Sequence, residues 1–233
     1  MSNVRLSILL ATIALNGLFL LQACSSHKPS ITSAAPFTST EEFINVSKQS
    51  SQQAQAAETR QEKINWSEHG ISVAEQCLMR YPEEPGCYYY RAINTGLYYE
   101  ARVIGYQKGI KQIIADCEDV IKFDPKYDHG GAYRILGQVY TKLPQTVGRP
   151  DSVSRDLDKA ENYLKRAVRI DPDYPENQIF MAETLLAKDK NKEALEALLT
   201  AKEQTPSWRH DYSYTFWQTS LEGLEKKLKI ANK

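Results

Sequence analysis

The chain falls into three sections when read for apolar and polar positions. Residues 6–21 are apolar almost without interruption, residues 25–60 are almost wholly polar, and beyond residue 62 apolar side chains recur at three- and four-residue spacing. The first run has 16 residues, short of the roughly 20 that a spanning helix needs, so it is expected to be a signal segment. The polar stretch holds too little apolar surface to offset the entropy of ordering it, so residues 24–61 are expected to form a flexible tether. Within it, Phe43, Ile44 and Val46 open an apolar face, and residues 41–60 have the composition for a helix. The last section reads as helices closed by Pro or Gly, with no convincing alternation for strands.

Four of these helices share one register: a small or apolar residue, another seven positions on, then proline five positions later. The triplets are Gly70, Cys77, Pro82; Ile113, Val120, Pro125; Ala160, Ala167, Pro172; and Ala194, Ala201, Pro206. Residues seven apart lie two turns up one helical face, small ones admit a close neighbour, and the proline stops the helix. These segments resemble the second helices of tetratricopeptide repeat (TPR) units. The run AYRILGQVY fits the first-helix pattern, with Tyr133, Leu136, Gly137 and Tyr140 at the W, L, G and Y places. The resemblance implies an all-α array of antiparallel helix pairs over residues 62–207. Residues 208–233 supply a capping helix, with Trp217, Leu221, Leu224 and Leu228 on one stripe over the last repeat. Successive register prolines lie 43, 47 and 34 residues apart, so only the last unit has the family period.

At the start of the chain, Leu21-Gln22-Ala23-Cys24 resembles a bacterial lipobox. That likeness implies a lipoprotein signal peptide over residues 1–23, a lipidated Cys24, and, with Ser25 following, an outer-membrane anchor facing the periplasm. A narrower resemblance rests on Asp128-His129-Gly130-Gly131 through Pro144, combined with the lipobox, the few repeats and the loop that follows. It is similar to the TatT family, periplasmic TPR-like lipoproteins associated with TRAP-type transporters. That likeness implies helices around a ligand-sized cavity, a solute-binding subunit as partner, and an oligomer of the chain itself. No ligand-contact residue carries over from it.

Composition adds mainly exclusions. There are 29 basic and 29 acidic side chains with no basic run, which argues against nucleic acid as a partner. The four histidines are scattered, and no metal-ligand spacing, phosphate loop or nucleophile motif is present, so neither metal, cofactor nor catalytic residue is expected. Setting Cys24 aside leaves Cys77, Cys87 and Cys117. Cys77 and Cys87 flank the YPEEPG turn and are the candidate disulfide, with reduced thiols or another pairing as alternatives. Among the 14 tyrosines, Tyr88, Tyr98 and Tyr99 are candidate binding residues, together with Arg149 on the loop between Tyr140 and Ala160. The expected function is a non-catalytic, lipid-anchored binding module presenting a helical groove to a protein or small ligand. The alternative is an envelope-assembly scaffold.

Overall fold

In the computed structural model, residues 37–145 and 151–231 are described. They form nine α-helices: α1 (Thr40–Ala56), α2 (Arg60–Arg80), α3 (Pro85–Arg102), α4 (Tyr106–Phe123), α5 (Tyr127–Lys142), α6 (Leu157–Ile170), α7 (Pro175–Ala187), α8 (Asn191–Gln204) and α9 (Tyr214–Ala231). A short 3-10 turn, Thr205–Trp208, precedes α9. Among the described residues no helix is long and apolar enough to cross a membrane. The signal segment, Cys24 and Arg149 lie outside the described residues.

The helices pack as antiparallel pairs, α1 with α2, α3 with α4, α5 with α6 and α7 with α8, and the odd-numbered members stack along one side. All four register segments fall in the second helix of a pair. Gly70, Cys77, Ile113, Val120, Ala160, Ala167, Ala194 and Ala201 are buried there. Each register proline sits two positions beyond its helix: Pro82, Pro125, Pro172 and Pro206 follow Arg80, Phe123, Ile170 and Gln204. Tyr133, Leu136, Gly137 and Tyr140 are buried on α5, and a Cβ on Gly137 would stand 2.5 Å from Leu164 Cγ. The absent side chain is what lets α6 approach. In α9, Trp217, Leu221, Leu224 and Leu228 close the last core against Ile179, Leu185 and Leu198.

One expectation is corrected. The tether does not run to residue 61, because α1 begins at Thr40 and packs on α2 and α3. Capping boxes at Ser39 with Glu42 and Thr59 with Glu62 start α1 and α2, each pair exchanging side-chain and backbone hydrogen bonds. Apart from Phe43, the buried side of α1 is Ser47, Ser50, Ser51 and Ala54. The serine hydroxyls donate to the carbonyls of Gly70, Val46 and Lys48, so they enter the interface without unsatisfied groups. Asn94 of α3 completes this contact, donating to the Ser47 and Tyr90 carbonyls in the space that Gly70 leaves. The first turn of α5 departs from helix geometry at residues 128–130. Asp128, His129 and Gly130 form a left-handed turn, with φ of 48°, 60° and 78°, ahead of the right-handed part of α5. Side-chain bonds from Arg134 to Asp128 hold the turn in place.

Residues 151–155, ahead of α6, fold back over the array. Arg155 N–H donates to the Pro144 carbonyl, and Gln107 of α4 exchanges two hydrogen bonds with the Val153 backbone. Cys77 of α2 and Cys87 of α3 are joined in a disulfide with Cα atoms 6.0 Å apart, and Cys117 is a buried free thiol.

Candidate functional site: a pocket on the inner face

The stacked odd-numbered helices leave a concave face, and a cavity of about 380 Å³ lies in it. Every odd-numbered helix from α1 to α7 contributes a wall, and residues 210–213 ahead of α9 supply the rim. Lys48, Gln52 and Gln55 come from α1, Tyr89, Tyr90 and Ile93 from α3, Arg134 and Ile135 from α5, and Glu176 and Phe180 from α7. The Tyr212 hydroxyl donates to the Gln52 carbonyl at 3.1 Å, which ties the segment before α9 to α1 across the mouth. The segment ahead of α9 therefore reaches back to the first described helix.

Arg134 is the centre of the floor and is buried. Its two terminal nitrogens make four hydrogen bonds to protein acceptors, and Nε stands in an ion pair. Nη2 reaches Asp128 Oδ2 at 2.6 Å and Tyr89 Oη at 3.1 Å, and Nη1 reaches the Asp128 carbonyl and Asn177 Oδ1, both at 3.2 Å. Nε reaches Glu176 Oε2 at 2.7 Å, and the guanidinium lies 4.8 Å from the Tyr174 ring centre. This explains the left-handed turn at residues 128–130. Only by reversing the chain there does Asp128 present both its carboxylate and its carbonyl to a side chain six residues on, which offsets the cost of non-glycine residues at positive φ. His129, next in that turn, stacks on Tyr174 with ring centres 4.2 Å apart and pairs with Asp171 at 2.6 Å. Asn177 stitches the same corner, donating to the carbonyls of His129, Ala167 and Asp171.

The two carboxylates beside Arg134 respond differently. Burial pushes Asp128 up, but the Arg134 charge and the Tyr89 and Arg134 hydrogen bonds outweigh it, and its carboxyl lies below the usual range. Burial raises Glu176, and Arg134 only partly offsets it while Asp128 and Asp211 repel its charge. Burial and the Asp128 charge likewise hold the Tyr89 hydroxyl neutral well above its ordinary range. The floor is a satisfied ionic network with more acid than base.

The family model for the tetratricopeptide repeat matches residues 154–213. That span contains α6, α7, α8, the 3-10 turn and the rim segment. No curated protein matches the chain. Among solved structures, a thermophilic TPR protein of Thermus thermophilus is similar with 19% identity and a TM-score of 0.40, over 78% of this chain and 99% of that one.

The candidate tyrosines fall elsewhere. Tyr88 stacks on Phe123 and donates to the Pro82 carbonyl, Tyr98 packs edge-on against Tyr99, and Tyr99 fills the space beside Gly109. None of the three lines the pocket. The tyrosines that do are Tyr89, Tyr90, Tyr174 and Tyr212. Tyr89, Tyr90 and Ile93 share a helical face at three- and four-residue spacing, which is the signal that marks them in the sequence.

No group of three or more metal-ligating side chains occurs among the described residues. The Ser50 hydroxyl lies 2.9 Å from His69 Nδ1 but is buried and donates its one proton to the Val46 carbonyl at 2.8 Å, so His69 is the donor in that contact. Such a pair fastens α1 to α2 and leaves the hydroxyl without the base a nucleophile needs.

Proposed function

We propose that this chain is a non-catalytic binding module that holds its partner, a small ligand or an inserted segment of another protein, in the inner-face pocket. One observation carries the reading: the pocket is walled by all the odd-numbered helices through α7 and spanned by the bond between Tyr212 and Gln52. Stacked helix pairs create concave binding surfaces, and here the surface is drawn into a cavity of about 380 Å³, within the size range of small-molecule sites. The finer reading adds a lipid anchor at Cys24, a periplasmic location on the outer membrane, and work as a TatT-like accessory beside the solute-binding subunit of a TRAP-type transporter. That role rests on the lipobox-like start and on the motif from Asp128 to Pro144.

The test uses the full chain in living cells, with a photo-crosslinking residue at Gln55 on the pocket mouth or at Glu203, an exposed position on α8. The reading predicts a discrete adduct from Gln55 that is lost when Ile93→Trp fills the cavity, and none from Glu203. Equal adducts from both positions, insensitive to Ile93→Trp, would overturn it. Fatty-acid labelling that survives Cys24→Ser would separately remove the anchor.

A further inference from the structure

The inner pocket shows an imbalance of charge that selects among occupants. Arg134, its most deeply buried charged residue, is already engaged by protein groups: Nη1 and Nη2 make four hydrogen bonds to Asp128, Tyr89 and Asn177, and Nε pairs with Glu176. It is a strut of the floor. An incoming carboxylate would face a guanidinium already paired with Asp128 and Glu176, whose charges repel it across a partly desolvated space. Asp211 at the rim adds a third acid. Against these three carboxylates stand Arg134 and Lys48, the latter exposed at the mouth, with His210 exposed beside it. Acidic side chains therefore outnumber Arg134 and Lys48 in the lining. Tyr90, Phe180 and Tyr212 offer aromatic rings to the same space, and the negative face of an aromatic ring attracts cations.

Accepting the inner-face pocket as the binding site, we infer that its occupant is a small organic cation, an amine or quaternary ammonium, held by the Asp211 carboxylate and the rings of Tyr90, Phe180 and Tyr212 over the acidic floor. Burial that raises Glu176 above the usual carboxylate range agrees, since a cation bound nearby would relieve that cost. Lys48 works against the cation and for an anion, which makes it a useful reporter of sign.

The experiment is isothermal titration of the full chain, in uncharged detergent, with choline, putrescine and succinate. Choline or putrescine binds at one site per chain. Asp211→Asn, which keeps the oxygen that accepts the Ser213 N–H, weakens that binding about fivefold. Lys48→Gln strengthens it, and Ile93→Trp abolishes it. Succinate binding in place of the cations, weakened by Lys48→Gln and lost in Ile93→Trp, would overturn the cation inference while leaving the pocket as the site. Cation binding untouched by Asp211→Asn and Ile93→Trp would overturn it as well. If none of the three probes binds, the cation inference falls, and the crosslink from Gln55 decides the pocket reading independently.

Discussion

Tyr212 and Gln52 stand 160 positions apart in the chain, yet the tyrosine hydroxyl donates to the glutamine carbonyl at 3.1 Å. A stacked array of helix pairs normally keeps its ends apart. Here the segment ahead of the capping helix returns to α1, and the concave face becomes a pocket. Tyr212 is more than half exposed, so one such bond contributes about 1 kcal/mol or less. Tyr212→Phe is therefore expected to leave the melting temperature nearly unchanged. Amide hydrogen exchange at residues 210–213 and in the last turn of α1 should nevertheless quicken, and exchange identical to the parent protein would show that the bond does not hold the mouth.

Arg134 gives the opposite expectation, a large effect from a residue with almost no surface. Removing a partner from a buried ionic network costs about 3–5 kcal/mol, because the remaining charges are left uncompensated. Arg134→Met should lower stability by that amount in urea unfolding. Adding Asp128→Asn and Glu176→Gln should restore part of it. A triple variant no more stable than the single one would mean that the network is not what Arg134 supports.

Much of the array is legible in the sequence, for a physical reason. Its second helices need small residues seven apart where neighbours press in, and a proline two positions beyond the end. Both are strong, local constraints, visible in Ala160, Ala167 and Pro172 without any knowledge of the partner helix. α1 escapes the same reasoning because its buried face is Ser47, Ser50, Ser51 and Ala54, and hydropathy cannot tell serines that satisfy carbonyls from serines that face water. The pocket escapes for a different reason. Tyr89, Arg134, Glu176 and Asp211 come together only when α3, α5 and α7 are stacked and the segment ahead of α9 returns over them, so no spacing along the chain marks them as one site.

The close approach of helices makes opposite predictions for two glycines. A Cβ at Gly70 would lie 2.3 Å from Asn94 Oδ1, and Asn94 is held by bonds to Ser47 and Tyr90. Gly70→Ala is expected to cost about 1–3 kcal/mol through overpacking. Gly223 lies inside α9 with nothing within 4 Å of the added atom. Gly223→Ala should stabilise by about 0.5–1 kcal/mol. Chemical denaturation of both variants checks the pair, and a shift of the same sign in both would contradict the packing described.

Acid sensitivity should concentrate at Glu161, a residue on the outer helix α6. Its carboxylate sits among Lys165, Lys188 and Lys190 at 2.6–2.9 Å. Burial opposes its charge, but the hydrogen bonds from these lysines prevail and hold it down at about 2. A carboxyl group whose folded pKa is depressed stabilises the protein above its unfolded value and loses that contribution as pH falls. Stability should therefore decline between about pH 4.5 and about pH 2 more steeply in the parent protein than in Glu161→Gln. Parallel declines would remove Glu161 from the account.

The central claim is that the helical array closes on itself around the inner pocket, and a distance measurement tests it most directly. Spin labels placed at Gln53 on α1 and at Arg209 beside the rim report that separation in solution by pulsed electron resonance. The closed arrangement predicts a single narrow distribution at short distance, broadened only slightly by Tyr212→Phe. A broad distribution at long distance would describe an open groove and contradict it.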